Sequence, residues 1–148
     1  VSHISDEGFW DIMKITDAPI LATHSNSRAL CGHSRNLTDD MFRAICETGG
    51  TAGMNLYADF LGEQDVKLDT VCDHIFHLME LDPDGIHISL GGDLDGCDVL
   101  PAGFTGVDSY NTLADRLNER GLDENTIRNI YWHNTMGVMD RAVRINQK

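Results

Sequence analysis

Four short apolar runs alternate along this chain with stretches of helical periodicity, and no other feature restricts its fold as much. The runs are Val1-Ser2-His3-Ile4, then Ile20-Leu21-Ala22-Thr23 behind Pro19, Thr51 to Tyr57, and Ile86-His87-Ile88-Ser89-Leu90. Each reads as a strand or, for the first, the tail of one, and in the third Ala52, Met54 and Leu56 alternate with their neighbours. Between them lie amphipathic segments whose apolar stripes are Phe9, Ile12 and Met13, then Met41, Phe42, Ile45 and Cys46, then Leu68, Val71, Cys72, Ile75, Leu78 and Met79. Two further helical patterns close the chain: Tyr110, Leu113 and Leu117 before Gly121, and Ile127, Ile130 and Tyr131 after it. Trp132-His133-Asn134 is a predicted break before the pattern resumes over Met136–Val143. Strand and helix in alternation predict parallel strands joined by right-handed crossovers.

The helix starts are written in one repeated device. Ser5, Thr38 and Asp123 each follow an apolar residue (Ile4, Leu37, Leu122), precede acids, and lead to an apolar residue at the fourth helical position (Phe9, Phe42, Ile127). This is an N-cap with a hydrophobic staple, and the acids suit the positive end of the helix dipole.

Polar, histidine-bearing loops follow the C-terminal ends of the strands, as on the catalytic rim of a (β/α) barrel. Three strands and a stub cannot close a barrel of eight. The 148 residues are therefore expected to form a single partial domain, residues 1–148, the C-terminal half of a larger catalytic barrel whose N-terminal half is absent. Unpaired strand edges and an uncovered apolar face predict a homodimer or association with that missing half.

Charge and cysteine usage exclude some classes. With 11 Lys+Arg against 24 Asp+Glu the formal charge is −13, and no basic cluster exists. Nucleic acid and anionic membrane surfaces are excluded as partners on that ground. No apolar run approaches the roughly 18 residues needed to cross a bilayer. Cys31, Cys46, Cys72 and Cys97 form no C-x-x-C pair and read as free thiols of a reducing, cytoplasmic setting.

His3, His24 and Asp93 occupy equivalent places, each just after an apolar run, and two imidazoles with a carboxylate fit a water-activating zinc-type site. The plainer alternatives are an exposed terminal histidine, a hydrogen-bonded structural histidine and a turn aspartate, the last of which suits Asp95 better. Arg35 fits a bidentate clamp on a carboxylate or a surface arginine, and Arg28 shares that ambiguity. His74 and His77 share one helical turn but lie mid-helix with no third ligand, so a structural role is expected. His87 alternates with Ile86 and Ile88 and fits an inward-facing strand position. His33 and His133 have no role assigned.

Taken together, Val1-Ser2-His3-Ile4-Ser5, Thr23-His24-Ser25-Asn26-Ser27-Arg28-Ala29, Arg35-Asn36-Leu37-Thr38-Asp39, Asp73-His74-Ile75-Phe76-His77, Gly91-Gly92-Asp93-Leu94-Asp95-Gly96 and Asn134 resemble the renal (membrane) dipeptidase family of dinuclear zinc peptidases, in its bacterial branch. The resemblance covers the whole chain, in order. It implies a (β/α)8 barrel of the metal-dependent amidohydrolase type and a dipeptide substrate. His3 and His24 match the histidines that ligate one of two zinc ions. Arg35 matches the arginine that binds the dipeptide's terminal carboxylate, and Asp93 the acid that handles protons beside the bridging water. The family's His-x-Asp motif and its bridging glutamate have no counterpart, since no His-x-Asp occurs in the sequence. At most one partial metal site is then expected, and this chain alone is expected to be inactive. The alternatives are a catalytically inert half-barrel that binds metal weakly or self-associates, and an amidohydrolase acting on a non-peptide amide.

Overall fold

A computed structural model describes residues 1–145. Each of the three staple motifs opens a helix as the capping chemistry requires. Ser5 Oγ accepts from Gly8 N–H at 3.1 Å, Thr38 Oγ1 from Met41 N–H at 3.2 Å, and Asp123 Oδ1 from Asn125 and Thr126 N–H. They begin α1 (Asp6–Ile15), α2 (Asp39–Glu47) and α5 (Glu124–Arg128). The remaining helices are α3 (Leu68–Leu81), α4 (Ser109–Glu119) and α6 (Asn134–Ile145).

The predicted break between the last two helices is a π-helical turn over Asn129–His133. Asn134, just beyond it, donates through Nδ2 to the carbonyls of Gly85 and Ile88, both at 2.7 Å. The turn is thereby tied to the start of the last strand.

Three strands, β1 (Leu21–Ala22), β2 (Thr51–Asn55) and β3 (Ile88–Gly92), form one parallel sheet in the order β1-β2-β3. The register pairs Leu21 with Thr51 and Ala52 with Ile88. The strand–helix alternation thus folds into an α/β arc with all its strands parallel, the architecture of part of a (β/α) barrel. Ala52 and Met54 pack with Phe42, Ile45, Val71, Cys72, Ile75 and Ile88 in a core between sheet and helices.

Three details differ from the sequence reading. Residues 1–4 are a turn rather than a strand tail, and His3 takes a left-handed φ of 69°. Even so, the Val1 amino group donates to Leu21 O at 2.7 Å, so the segment lies alongside β1. The last strand begins two residues later than its apolar run and includes Gly91-Gly92. Finally, β2 is buried at every position instead of on alternate faces.

The last two differences share a cause. The sheet curls so sharply that a Cβ on Gly91 would lie 1.9 Å from Thr23 O, and one on Gly50 would lie 1.8 Å from Ile20 O. Glycine permits that approach, which closes the second face of β2 with backbone rather than side chains. A register shift between Met54 and Asn55 leaves Gly91 as the extra residue on β3. Bulges at strand ends re-aim the residues beyond them, here toward Asp93.

Candidate active site

The site is built on the C-terminal ends of the strands and the segments that follow them. β1 delivers Thr23 and His24, β2 ends in Asn55, β3 passes through Gly92 into Asp93, and the opening turn supplies His3. His3 Nε2 and His24 Nε2 stand 2.8 Å apart, with their rings edge to face at 4.9 Å. Asp93 Oδ2 lies 3.8 Å from His24 Nε2. Asp93 has φ 60°, a left-handed conformation that costs energy in a residue with a Cβ and is held here by its surroundings. The structure therefore brings His3, His24 and Asp93, far apart in sequence, to one place.

The hydrogen bonds around His24 select its tautomer. Ser2 Oγ accepts from His24 N–H at 3.1 Å and from the Thr23 hydroxyl at 3.4 Å. Thr23 Oγ1 is then left to accept from His24 Nδ1–H at 2.8 Å. The Nε2 lone pair of His24 consequently faces His3, the arrangement an outer hydrogen bond imposes on a ligating imidazole. Burial, opposed by Asp93 and reinforced by the neighbouring His3 and Arg35, holds the His24 imidazole below its ordinary value. It is neutral near pH 7.

Two facing imidazoles fit part of a metal centre. Tetrahedral bonds of about 2.0–2.1 Å would set the two nitrogens roughly 3.3 Å apart, so a small opening of the pair would admit an ion. Among the described residues no group of three or more His, Cys, Asp or Glu side chains could hold a metal. The described residues thus offer two ligands of a set, not the whole set. Burial, with Asp93 and Asp98 nearby, pushes the Cys97 thiol up to about 11.

Arg35 and Arg28, indistinguishable by sequence, separate clearly. Arg28 is fully engaged, bidentate to Asp6 at 2.6 and 2.8 Å and bonded to the carbonyls of Asn36 and Ser34. Arg35 lies over the Phe60 ring at 5.1 Å, and its Nε and Nη2 are buried with no hydrogen-bond partner among the described residues. These two nitrogens form one edge of the guanidinium, the edge that meets a carboxylate side-on. Arg35 also lines a small cavity shared with His3, Ser25 and Asn36.

The other histidines serve the fold or stand apart. His74, wholly buried, accepts from Ser27 N–H at 3.1 Å and donates to Leu61 O at 3.0 Å. His77 Nε2 bonds Asp39 Oδ1 at 2.9 Å, joining α3 to the first turn of α2. His87 bonds Gly50 O at 2.7 Å near the opposite ends of the strands. His33 accepts from Arg35 N–H beside Phe60, and His133 is exposed in the π turn.

Sequence reasoning missed Ser2, Thr23, Asn55 and Phe60. Asn55 was discoverable, because it ends its strand as His24 and Asp93 follow theirs. Phe60 carries no such signal; it reaches Arg35 only through the 3₁₀ turn Ala58–Phe60.

Residues 1–148 match the family model described as membrane dipeptidase, peptidase family M19. The chain belongs to the membrane dipeptidase family. A protein from the pqqA 5′ region of Klebsiella pneumoniae is 36% identical over 94% of this chain and 52% of its own length. A solved metallo peptidase of family M19, dipeptidase AC, superposes with a TM-score of 0.89 at 32% identity, over 95% of this chain and 43% of that one. A metallo peptidase from Rhodobacter sphaeroides, liganded with a phosphinate mimic of the dipeptide L-Ala-D-Ala, gives the same TM-score and identity over 95% and 41%. The chain thus spans about half the length of its relatives or less. As a family member it is grouped with metallo-dipeptidases. Among the described residues no helix is long and apolar enough to cross a membrane.

Proposed function

We propose that this chain contributes His3, His24, Arg35 and Asp93 to the active site of a zinc dipeptidase. The observation that carries the reading is the 2.8 Å approach of His3 and His24 Nε2 at a strand-end rim. The orphaned guanidinium edge of Arg35 supports it. His3 and His24 would hold one zinc ion through Nε2, and the remaining ligands would come from outside the described residues. Bound there, zinc would supply a Lewis acid and make water acidic near neutral pH.

The chain's own residues then have separate tasks. Arg35 takes the terminal carboxylate of the dipeptide along its buried edge, supplying hydrogen bonds that no group among the described residues makes. A fixed carboxylate limits the reach to the scissile bond and favours dipeptides over longer peptides. Asp93 accepts the proton of the attacking water and passes it to the leaving amine as the C–N bond breaks. The Thr23–Ser2 pair keeps His24 in its Nδ1–H tautomer throughout.

Zinc titration of the 148-residue chain by calorimetry, with a dipeptide hydrolysis assay alongside, tests this. We expect one weak zinc site, lost in His24→Ala, and no appreciable turnover without the remaining ligands. Zinc binding that is unchanged in both His3→Ala and His24→Ala would overturn the assignment.

A further inference from the structure

We infer that Asn55 is a positioning residue that aims and immobilises the Asp93 carboxylate. Asn55 is completely buried at the end of β2, and its Nδ2 donates to Asp93 Oδ2 at 3.2 Å. The same oxygen is the one that lies 3.8 Å from His24 Nε2. Asn55 therefore grips the carboxylate on the side that faces the imidazole.

The amide has no freedom to turn away. Its Oδ1 accepts from Tyr57 N–H at 2.6 Å, which sets the flip and leaves Nδ2 as the only group for Asp93. Its backbone is held on both sides by one side chain: Asn26 Oδ1 accepts from Asn55 N–H at 2.8 Å, and Asn26 Nδ2 donates to Asn55 O at 3.1 Å. Asn26 lies two residues beyond His24, so the pair of asparagines connects the loop after β1, the end of β2 and the loop after β3. From the other side, Gly96 closes on the acid so tightly that a Cβ there would lie 2.6 Å from Asp93 Oδ1. A left-handed aspartate is thus held between a buried amide and a glycine backbone. Supporting hydrogen bonds of this kind typically change activity 10- to 100-fold when removed.

This inference rests on the assignment of Asp93 above for its catalytic meaning, but its structural content is tested separately. Asn55→Asp is the informative variant. It preserves volume, the acceptor for Tyr57 N–H and both backbone bonds to Asn26, while it replaces the donor to Asp93 with a repelling carboxylate. Crystal structures of the wild-type and Asn55→Asp chains without metal are compared at pH 7.5, with Asn55→Ser as a partial donor. We expect the Asp93 carboxylate to rotate away from its wild-type position in Asn55→Asp and to return toward it in Asn55→Ser. In protein with its complete metal site, we expect kcat to fall about 10- to 100-fold in Asn55→Asp with KM within about twofold. An unmoved Asp93 carboxylate in a folded Asn55→Asp protein overturns the inference, whatever the activity. If Asp93 moves but Asp93→Asn retains full activity, the positioning stands and the dipeptidase role of Asp93 fails instead.

Discussion

Arg35 and His74 are two buried nitrogen-bearing side chains whose hydrogen bonding predicts opposite behaviour. The Nε and Nη2 of Arg35 have no partner among the described residues, so Arg35→Met removes a desolvated charge edge without breaking a hydrogen bond at those atoms. We expect its unfolding free energy to stay within about 1 kcal/mol of wild type, while dipeptide KM in the complete enzyme rises about 10- to 100-fold, the worth of a hydrogen bond to a charged group. A KM within twofold would remove Arg35 from substrate binding. His74 is the reverse case, because both ring nitrogens are engaged by backbone. His74→Leu should cost about 2–4 kcal/mol in urea unfolding, since Ser27 N–H and Leu61 C=O lose their partner inside the protein. Burial holds the His74 imidazole below its ordinary value, against the Leu61 carbonyl and Asp73, which raise it. The folded state then binds fewer protons than the unfolded chain. Its contribution is present above the unfolded value of 6.5 and is lost as pH falls below it. Stability measured from pH 7.5 to 5 should decline, and the decline should be shallower in His74→Leu. Sequence alone read His74 as structural but did not separate Arg35 from Arg28, whose guanidinium Asp6 occupies.

The elements were more legible than their edges. Caps and staples mark where α1, α2 and α5 begin, because the first turn of a helix must find acceptors for its own N–H groups locally. Strand limits obey longer-range rules. The run Ile86–Leu90 looks like a strand, yet Ile86 is exposed and the ladder extends through Gly91-Gly92 instead. What decides this is the curl of the sheet, which needs residues without side chains where β3 meets Thr23. Gly91→Ala should accordingly destabilise by about 3 kcal/mol or more, as over-packing against backbone leaves nothing flexible to yield. Denaturant unfolding of the variant checks this, and a loss under 1 kcal/mol would show that the sheet can relax around a methyl group.

At the scale of the whole molecule, β1 and β3 each have one edge without a strand partner among the described residues, in the order β1-β2-β3. Parallel sheets are ordinarily covered and continued, and open edges recruit further strands. We propose that the 148-residue chain in isolation self-associates through these edges, or pairs with a complementing segment of barrel. Sedimentation at micromolar concentration should show dimers or larger species, and a compact monomer would refute the proposal. By itself the sequence determined the α/β class, the parallel alternation, the helix starts and the family, because periodicity, capping and motif order are written within a few residues of where they act. The meeting of His3 with His24, the locking of Asp93 by Asn55 and the orphaning of Arg35 were decided only by tertiary structure. Each depends on the curl that brings strand ends from distant parts of the chain within hydrogen-bond reach, and no local pattern encodes that distance.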